Sequence, residues 1–350
     1  MSALFGLLQA TTKKMTMSQY NTTSDTNNGF DFLRLCAAYS VLFAHHFDLT
    51  KTMGPAVLGV SLGGWGVATF FALSGYLVTG SYLNDPHFGR FMARRALRIF
   101  PALIVCVLIT VICIGPWMSS LEVQQYFAHP QTWQYLKAMV LNIKFTLPGV
   151  FVNNPLPNAV NDSLWTIRLE FKLYLYLGVA CWLLRQHREK LLPALLLISV
   201  IYYVYKNSRA TVDFHDLFPL AFFVGMAIHV LSKTLVSIRL SQYIALALIV
   251  LAGLWLFRPN NLSVMMVWAG LILVIGKHFT IRLPSWFRTN DVSYGIYLYA
   301  FPIQQIVYST GWHQAYFWLT LMLIVLITTV LAYLSCKWVE QPAMRFKPKR

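Results

Sequence analysis

Charge is scarce in this chain. Asp, Glu, Lys and Arg together make up 11% of its 350 residues, about half the share of an average soluble domain, so an ordinary soluble globule is excluded. Cysteine is also thin. Cys36, Cys106, Cys113, Cys181 and Cys336 lie scattered in apolar runs, with no C-x-x-C pair and no histidine at ligand spacing. That excludes a zinc or disulfide framework, and the five read as small buried hydrophobes with no metal site expected. Long-range repeats and low-complexity tracts are absent, which excludes a solenoid. What is abundant is apolar: 57% of residues are hydrophobic and 15% aromatic, with a mean hydropathy of +0.56. Twenty-eight Lys and Arg stand against twelve Asp and Glu, for a formal charge of +16. In a polar protein that surplus points to nucleic acid. Here the apolar excess turns it towards a bilayer, with no nucleic-acid partner expected.

A membrane-spanning helix needs about 20 mostly apolar residues. Ten stretches qualify, at 30–49, 60–82, 97–116, 163–184, 191–205, 215–231, 241–257, 262–276, 291–310 and 315–337. With the N-terminus on the cytoplasmic side, nineteen basic residues fall on that face and six on the other, while Arg34, Arg168 and Lys172 lie within apolar segments. This bias follows the positive-inside rule. The expected fold is an all-α, polytopic helical bundle of about ten transmembrane helices with both termini cytoplasmic. Ala3 to Leu8 is a short apolar run with no basic residue before it, unlike a cleavable signal. The expected organisation is a disordered cytoplasmic segment over 1–29, a transmembrane domain over 30–340 with an outer loop at 117–162, and a basic cytoplasmic tail over 341–350. The loop holds Trp117, Tyr126, Phe127, Trp133 and Tyr135. These suit either an interfacial aromatic belt or a sugar-stacking cap.

Several charges stand where a bilayer penalises them. The first span carries Asp31, Arg34, His45, His46 and Asp48. Arg34 and His45 are eleven residues apart, so at about 100° per residue they share a helix face and lie roughly 16 Å apart along the axis. His46 points elsewhere and reads as a satisfied interface histidine. Asp48 is placed either to accept a hydrogen bond from His45 or to be a solvated loop acid. Arg94, Arg95 and Arg98 cluster where the third span starts. Arg95 and Arg98 suit a phosphate group there, or serve only as topology determinants. In the fourth span Ser163, Ile167, Glu170 and Tyr174 recur on one face. Glu170 needs a partner from another helix, and His45 is expected at a comparable depth. An imidazole beside a carboxylate makes a general base, while a structural ion pair is the competing explanation.

In this setting the chain resembles acyltransferase family 3, the integral-membrane O-acyltransferases of bacterial glycans. The matching motifs are Arg34 with His45, Phe70-Phe-Ala-Leu-Ser74-Gly75-Tyr76-Leu, Arg95 and Arg98 followed by Pro101, and Ser163-Leu-Trp leading to Glu170. Ser293-Tyr-Gly-Ile-Tyr-Leu-Tyr-Ala-Phe-Pro302 and Val339-Glu340-Gln-Pro342 complete the order. The resemblance implies an acyl-CoA donor, usually acetyl-CoA, taken from the cytoplasm as a substrate with no permanently bound cofactor. It also implies a glycan or lipid-linked glycan acceptor and a place in the bacterial inner membrane. His45 is implied as catalytic base, Arg34 as a donor-orienting residue, and Arg95 and Arg98 as holders of the CoA phosphates. Ser74 and Gly75 read as small residues for close helix packing. Ala300 stands where many members have His, so any role of that histidine is absent here or taken over elsewhere. An appended esterase-like domain like that of some members is not expected after the tenth span, so the membrane module or a separate partner is expected to complete the reaction. A polytopic transporter or flippase of a lipid-linked sugar is the competing function, although paired interrupted helices are not apparent. A non-catalytic scaffold leaves the intramembrane charges unexplained.

Overall fold

The computed structural model describes residues 29–185, 198, 201–202, 205, 214–232, 261–278 and 290–349. Its principal helices are α1 (Gly29–Thr50), α2 (Leu62–Asn84), α3 (Phe88–Ile109), α4 (Leu164–Leu183), α5 (Phe218–Ser232), α6 (Asn261–His278), α7 (Ser293–Tyr308) and α8 (Phe317–Ser335). A two-stranded hairpin, Ala56–Val57 with Val60–Ser61, joins α1 to α2. Eight of the ten stretches predicted as spans coincide with these helices. The expected lead-in and the span at 241–257 lie outside the described residues. The span at 191–205 is described only at 198, 201–202 and 205, all helical.

Three continuous helical stretches are long and apolar enough to cross a membrane: Leu62–Asn84, Phe88–Met118 and Phe317–Met344. The second and third run through π-turns at Thr110–Ile114 and Cys336–Glu340. The apolar helices at Phe214–Val230 and Val264–His278 are shorter. Helix α2 is the central one, with 72% of its apolar window buried, against 28% for the Phe317–Met344 stretch, which lies at the periphery. Small residues let α5 lie directly on α2. A Cβ on Gly75 would sit 2.0 Å from the carbonyl oxygen of Phe222, and one on Gly225 would sit 2.2 Å from that of Ala72. Gly75 therefore fills the packing role expected of it. The expectation that all five cysteines are buried holds for Cys106, Cys181 and Cys336, whereas Cys36 and Cys113 lie on exposed helix faces.

Helix α7 ties the described elements together through side chains. Tyr294 donates to the carbonyl of Ile99 in α3 at 2.8 Å, Tyr297 bonds Thr166 in α4 at 2.5 Å, and Gln304 donates to the carbonyl of Leu42 in α1 at 2.9 Å. Pro302 has no N–H to offer the carbonyl four residues back. That carbonyl, Leu298's, instead accepts from Asn161 Nδ2 at 3.0 Å. Gln305 adds bonds from Nε2 to the carbonyls of Leu156 and Ala159, and accepts from Asn154. The polar run Asn153 to Asp162 is thus a set of amide staples fastening the loop at 117–162 to α7. Tyr126 and Tyr135 are fully buried, while Trp117 and Trp133 remain exposed. Only the exposed pair is free to act as a belt or platform, and the buried pair forms the loop's own core.

Between α2 and α3 the chain turns on Asp85. Its carboxylate accepts from Arg90 at 2.6 and 3.1 Å and from Arg94 at 2.5 Å. Arg94 is therefore a loop clamp. Hydrogen bonds from Arg90 and Arg94 hold the Asp85 carboxyl well below the usual carboxylate range. A lowered folded-state value adds stability above the unfolded value of about 3.9 and loses it as pH falls. The melting-temperature gap between the wild type and Asp85→Asn should hold steady from pH 8 to 5 and close below about pH 4. Overpacking at Gly75 should be costly too. Gly75→Ala is expected to lose about 2 kcal/mol and melt lower in detergent, whereas Gly270→Ala, with nothing within 4 Å of the added carbon, should not.

Candidate active site

The motifs far apart in sequence converge at one end of the bundle. Arg34 Nη1 of α1 donates to Asp291 Oδ2 at 2.9 Å, and Arg98 Nη2 of α3 donates to the same oxygen at 2.5 Å. Arg98 Nη1 reaches Glu340 Oε2 at 3.1 Å, and the Arg98 guanidinium lies 5.6 Å from the centre of the Tyr294 ring. Asp291 is fixed in turn by Ser293, whose backbone N–H and hydroxyl both donate to Oδ1, at 3.2 and 2.5 Å. Two cations and two carboxylates thus cancel at the junction of α1, α3, α7 and the segment after α8. Glu340 is buried and the other three are partly buried, and charges withdrawn from water are stabilised by such pairing.

Arg95 differs from its neighbours. Its guanidinium lies 5.9 Å from the centre of the Tyr174 ring, it makes no ion pair among the described residues, and its Nε is buried without a hydrogen-bond partner. Arg94 is taken by Asp85, and Arg34 and Arg98 by Asp291. Of the two residues expected to hold the CoA phosphates, Arg98 is neutralised on two sides and Arg95 is not.

Glu170 has the partner from another helix that its position requires, and that partner is a hydroxyl. Ser74 Oγ of α2 donates to Glu170 Oε1 at 2.7 Å, and the Tyr174 hydroxyl donates to the same oxygen. Ser74 is therefore more than a packing residue. Tyr174 follows from the helical period, one turn on from Glu170 on the same face. Glu170 shares a cavity of about 40 Å³ with Arg34, Phe70, Thr166, Ser293, Tyr294 and Tyr297, among others. The structure thus brings Glu170 to the level of Arg34 and not to that of His45, about three turns further along α1.

His45 makes no hydrogen bond among the described residues. Its Nδ1 is buried without a partner, and the edge of its ring meets Phe301 of α7 with centroids 5.3 Å apart. Asp48 is exposed on the last turn of α1, the solvated alternative of the two foreseen for it. The expected imidazole–carboxylate pair is thus absent, since neither Glu170 nor Asp48 bonds the ring. His46 is buried at the interface with α7, bonds the Tyr308 hydroxyl through Nδ1 at 2.6 Å and packs on Phe317, so it is satisfied on one side only, its Nε2 being buried without a partner. Ala300 is buried in the apolar cluster with Ala38 and Leu42, so the site has no polar group at that position. Tyr297, in the wall of the cavity, sits one turn of α7 before Phe301, the residue that packs on His45.

The acyltransferase domain profile matches residues 27–337, nearly the whole of this arrangement. The chain belongs to acyltransferase family 3, and it is an O-acyltransferase. It is 31% identical over 336 residues to an O-acetyl transferase of Shigella phage Sf6, covering 92% of this chain and 98% of the relative. To nodulation protein 10 of Rhizobium leguminosarum bv. viciae it is 26% identical, covering 93% and 95%. To a putative peptidoglycan O-acetyltransferase, YrhL of Bacillus subtilis, it is 24% identical, over 90% of this chain and 54% of that one. No solved structure matches the chain.

In this acyltransferase, Asp291 and Glu340 are the site residues that sequence reasoning missed. Glu340 lies in a quoted motif that carried no role, and Asp291 stands two residues before Ser293, where a carboxylate can cap the start of α7. Asp291→Ala should leave Arg34 and Arg98 facing each other and cost about 3 kcal/mol, read as a lower melting temperature. Adding Arg34→Ala should recover part of that loss, because the two sites are coupled.

Proposed function

We propose that this acyltransferase moves an acyl group, most simply acetyl, from cytoplasmic acyl-CoA to a hydroxyl of a cell-surface or secreted glycan. In this reading it lies in the bacterial inner membrane with about ten spans and both termini cytoplasmic. The observations that support the reading are an unpaired Arg95, a cavity lined by Arg34 and Glu170, and a His45 ring without a hydrogen bond. An anionic nucleotide end suits an unpaired guanidinium. A thin arm suits the cavity, and a thioester delivered beyond it meets an imidazole that no protein group occupies.

His45 Nδ1 is the buried nitrogen, so Nε2 is the one left to meet a substrate. In the direct route, Nε2 takes the proton of the acceptor hydroxyl as its oxygen attacks the thioester carbonyl. The C–S bond breaks, the ester C–O bond forms, and the proton passes from the imidazolium to the departing CoA thiolate. In the covalent route the ring nitrogen attacks first and carries the acyl group before the acceptor takes it. A burst of CoA release without acceptor distinguishes the covalent route.

The phage and Bacillus relatives, named as O-acetyl transferase and putative peptidoglycan O-acetyltransferase, support acetyl as the group and a glycan as the acceptor. Purified protein should release CoA from acetyl-CoA when given its acceptor, and His45→Ala should abolish release at unchanged expression. Full transfer by that variant would remove His45 from the mechanism. The arginines should separate: Arg95→Ala weakens acyl-CoA binding about tenfold at unchanged melting temperature, as loss of a hydrogen bond to a charged group does, whereas Arg98→Ala lowers the melting temperature.

A further inference from the structure

Glu170 and Arg34 line one small cavity with opposite charges, yet they form no ion pair. Each is held from behind. Arg34 spends Nη1 on Asp291, and its other N–H groups make no bond among the described residues while retaining accessible surface. Glu170 spends Oε1 on Ser74 and Tyr174, and its Oε2 is likewise unbonded and accessible. The cavity therefore has a fixed donor on one wall and a fixed acceptor on another, more than about 4 Å apart. Phe70, Phe71, Val67, Ile167, Tyr294 and Tyr297 supply most of the remaining wall.

A group that satisfies both walls must present one acceptor and one donor, carry no net charge and tolerate aromatic neighbours. A hydroxyl can bridge two polar groups only where they approach one oxygen. A carboxylate or phosphate is repelled by Glu170. A secondary amide fits, because its C=O and N–H point in opposite directions across a narrow planar unit. We propose that this cavity is a secondary-amide subsite, with Arg34 donating to the carbonyl and Glu170 Oε2 accepting from the N–H. The inference rests on the acyl-CoA donor proposed above, whose pantetheine arm contains two such amides. Glu170 is then a donor-positioning residue rather than a partner of His45. Ser74 and Tyr174 fix its carboxylate so that one oxygen remains for the ligand.

Equilibrium binding to the full-length protein in detergent tests this without any acceptor. The probes are CoA and adenosine 3′-phosphate 5′-diphosphate, which is CoA without its pantetheine arm. Glu170→Ala should weaken CoA about tenfold, as loss of a hydrogen bond to a charged group does, and leave the armless nucleotide unchanged. Glu170→Gln, whose single oxygen cannot serve both the Ser74–Tyr174 pair and the ligand N–H, should lose CoA affinity in the same selective way. Ser74→Ala, which loosens the carboxylate without removing it, should give the same selective loss at smaller size and serves if Glu170→Ala does not fold. Equal weakening of both probes, or of neither, overturns the amide subsite and leaves the acyl-CoA donor standing. Failure of the wild type to bind CoA overturns the donor and the subsite together.

Discussion

Asp291 holds two arginines from two other helices on one carboxylate oxygen, and the geometry of the site depends on that contact. Guanidinium groups so close repel strongly where the dielectric is low. The carboxylate between them converts that repulsion into the force that brings α1, α3 and the start of α7 together. Glu340 completes the balance on the far side of Arg98, so four segments separated by up to 306 positions meet in a locally neutral cluster. Neutrality is what lets Arg34 offer its remaining N–H groups to a cavity without drawing Glu170 across it.

The arginines at the start of α3 consequently divide their labour by what each already holds. Arg94 closes a turn on Asp85, and Arg98 locks helices through Asp291 and Glu340. Arg95, between them in sequence, faces an aromatic ring and a buried vacancy of hydrogen-bond partners. Successive helical positions turn by about 100°, so neighbours in a basic run meet different surroundings. The same rotation separates His45, whose ring is left unbonded, from His46, whose Nδ1 bonds Tyr308.

Much of this was legible in the sequence because helical periodicity and hydropathy are local properties. The eight described helices, the shared face of Glu170 and Tyr174, and the interface role of His46 follow from spacing alone. Pairings between helices are not local. Periodicity gives the direction in which Glu170 points, but the depth at which α4 meets α1 depends on how α2 lies between them, and Gly75 and Gly225 set how closely α5 packs on α2. Hence Glu170 falls opposite Arg34 and not beside His45. Asp291 carried no periodic signal, since it precedes its helix and acts through residues 193 and 257 positions away. The loop aromatics were ambiguous for a similar reason. Composition cannot separate Tyr126, buried against the carbonyl of Val111, from an exposed Trp117.

Pro302 bears on how the loop at 117–162 can vary. By withholding an amide from Leu298, it leaves α7 with an acceptor that only a group outside the helix can fill, and Asn161 fills it. Leu298 directly follows Tyr297, a wall of the cavity. A change in the loop that withdraws Asn161 leaves that carbonyl with only the longer contact from the Cys106 thiol, at 3.7 Å. The loop's foothold on α7 is therefore one residue from the wall of the cavity.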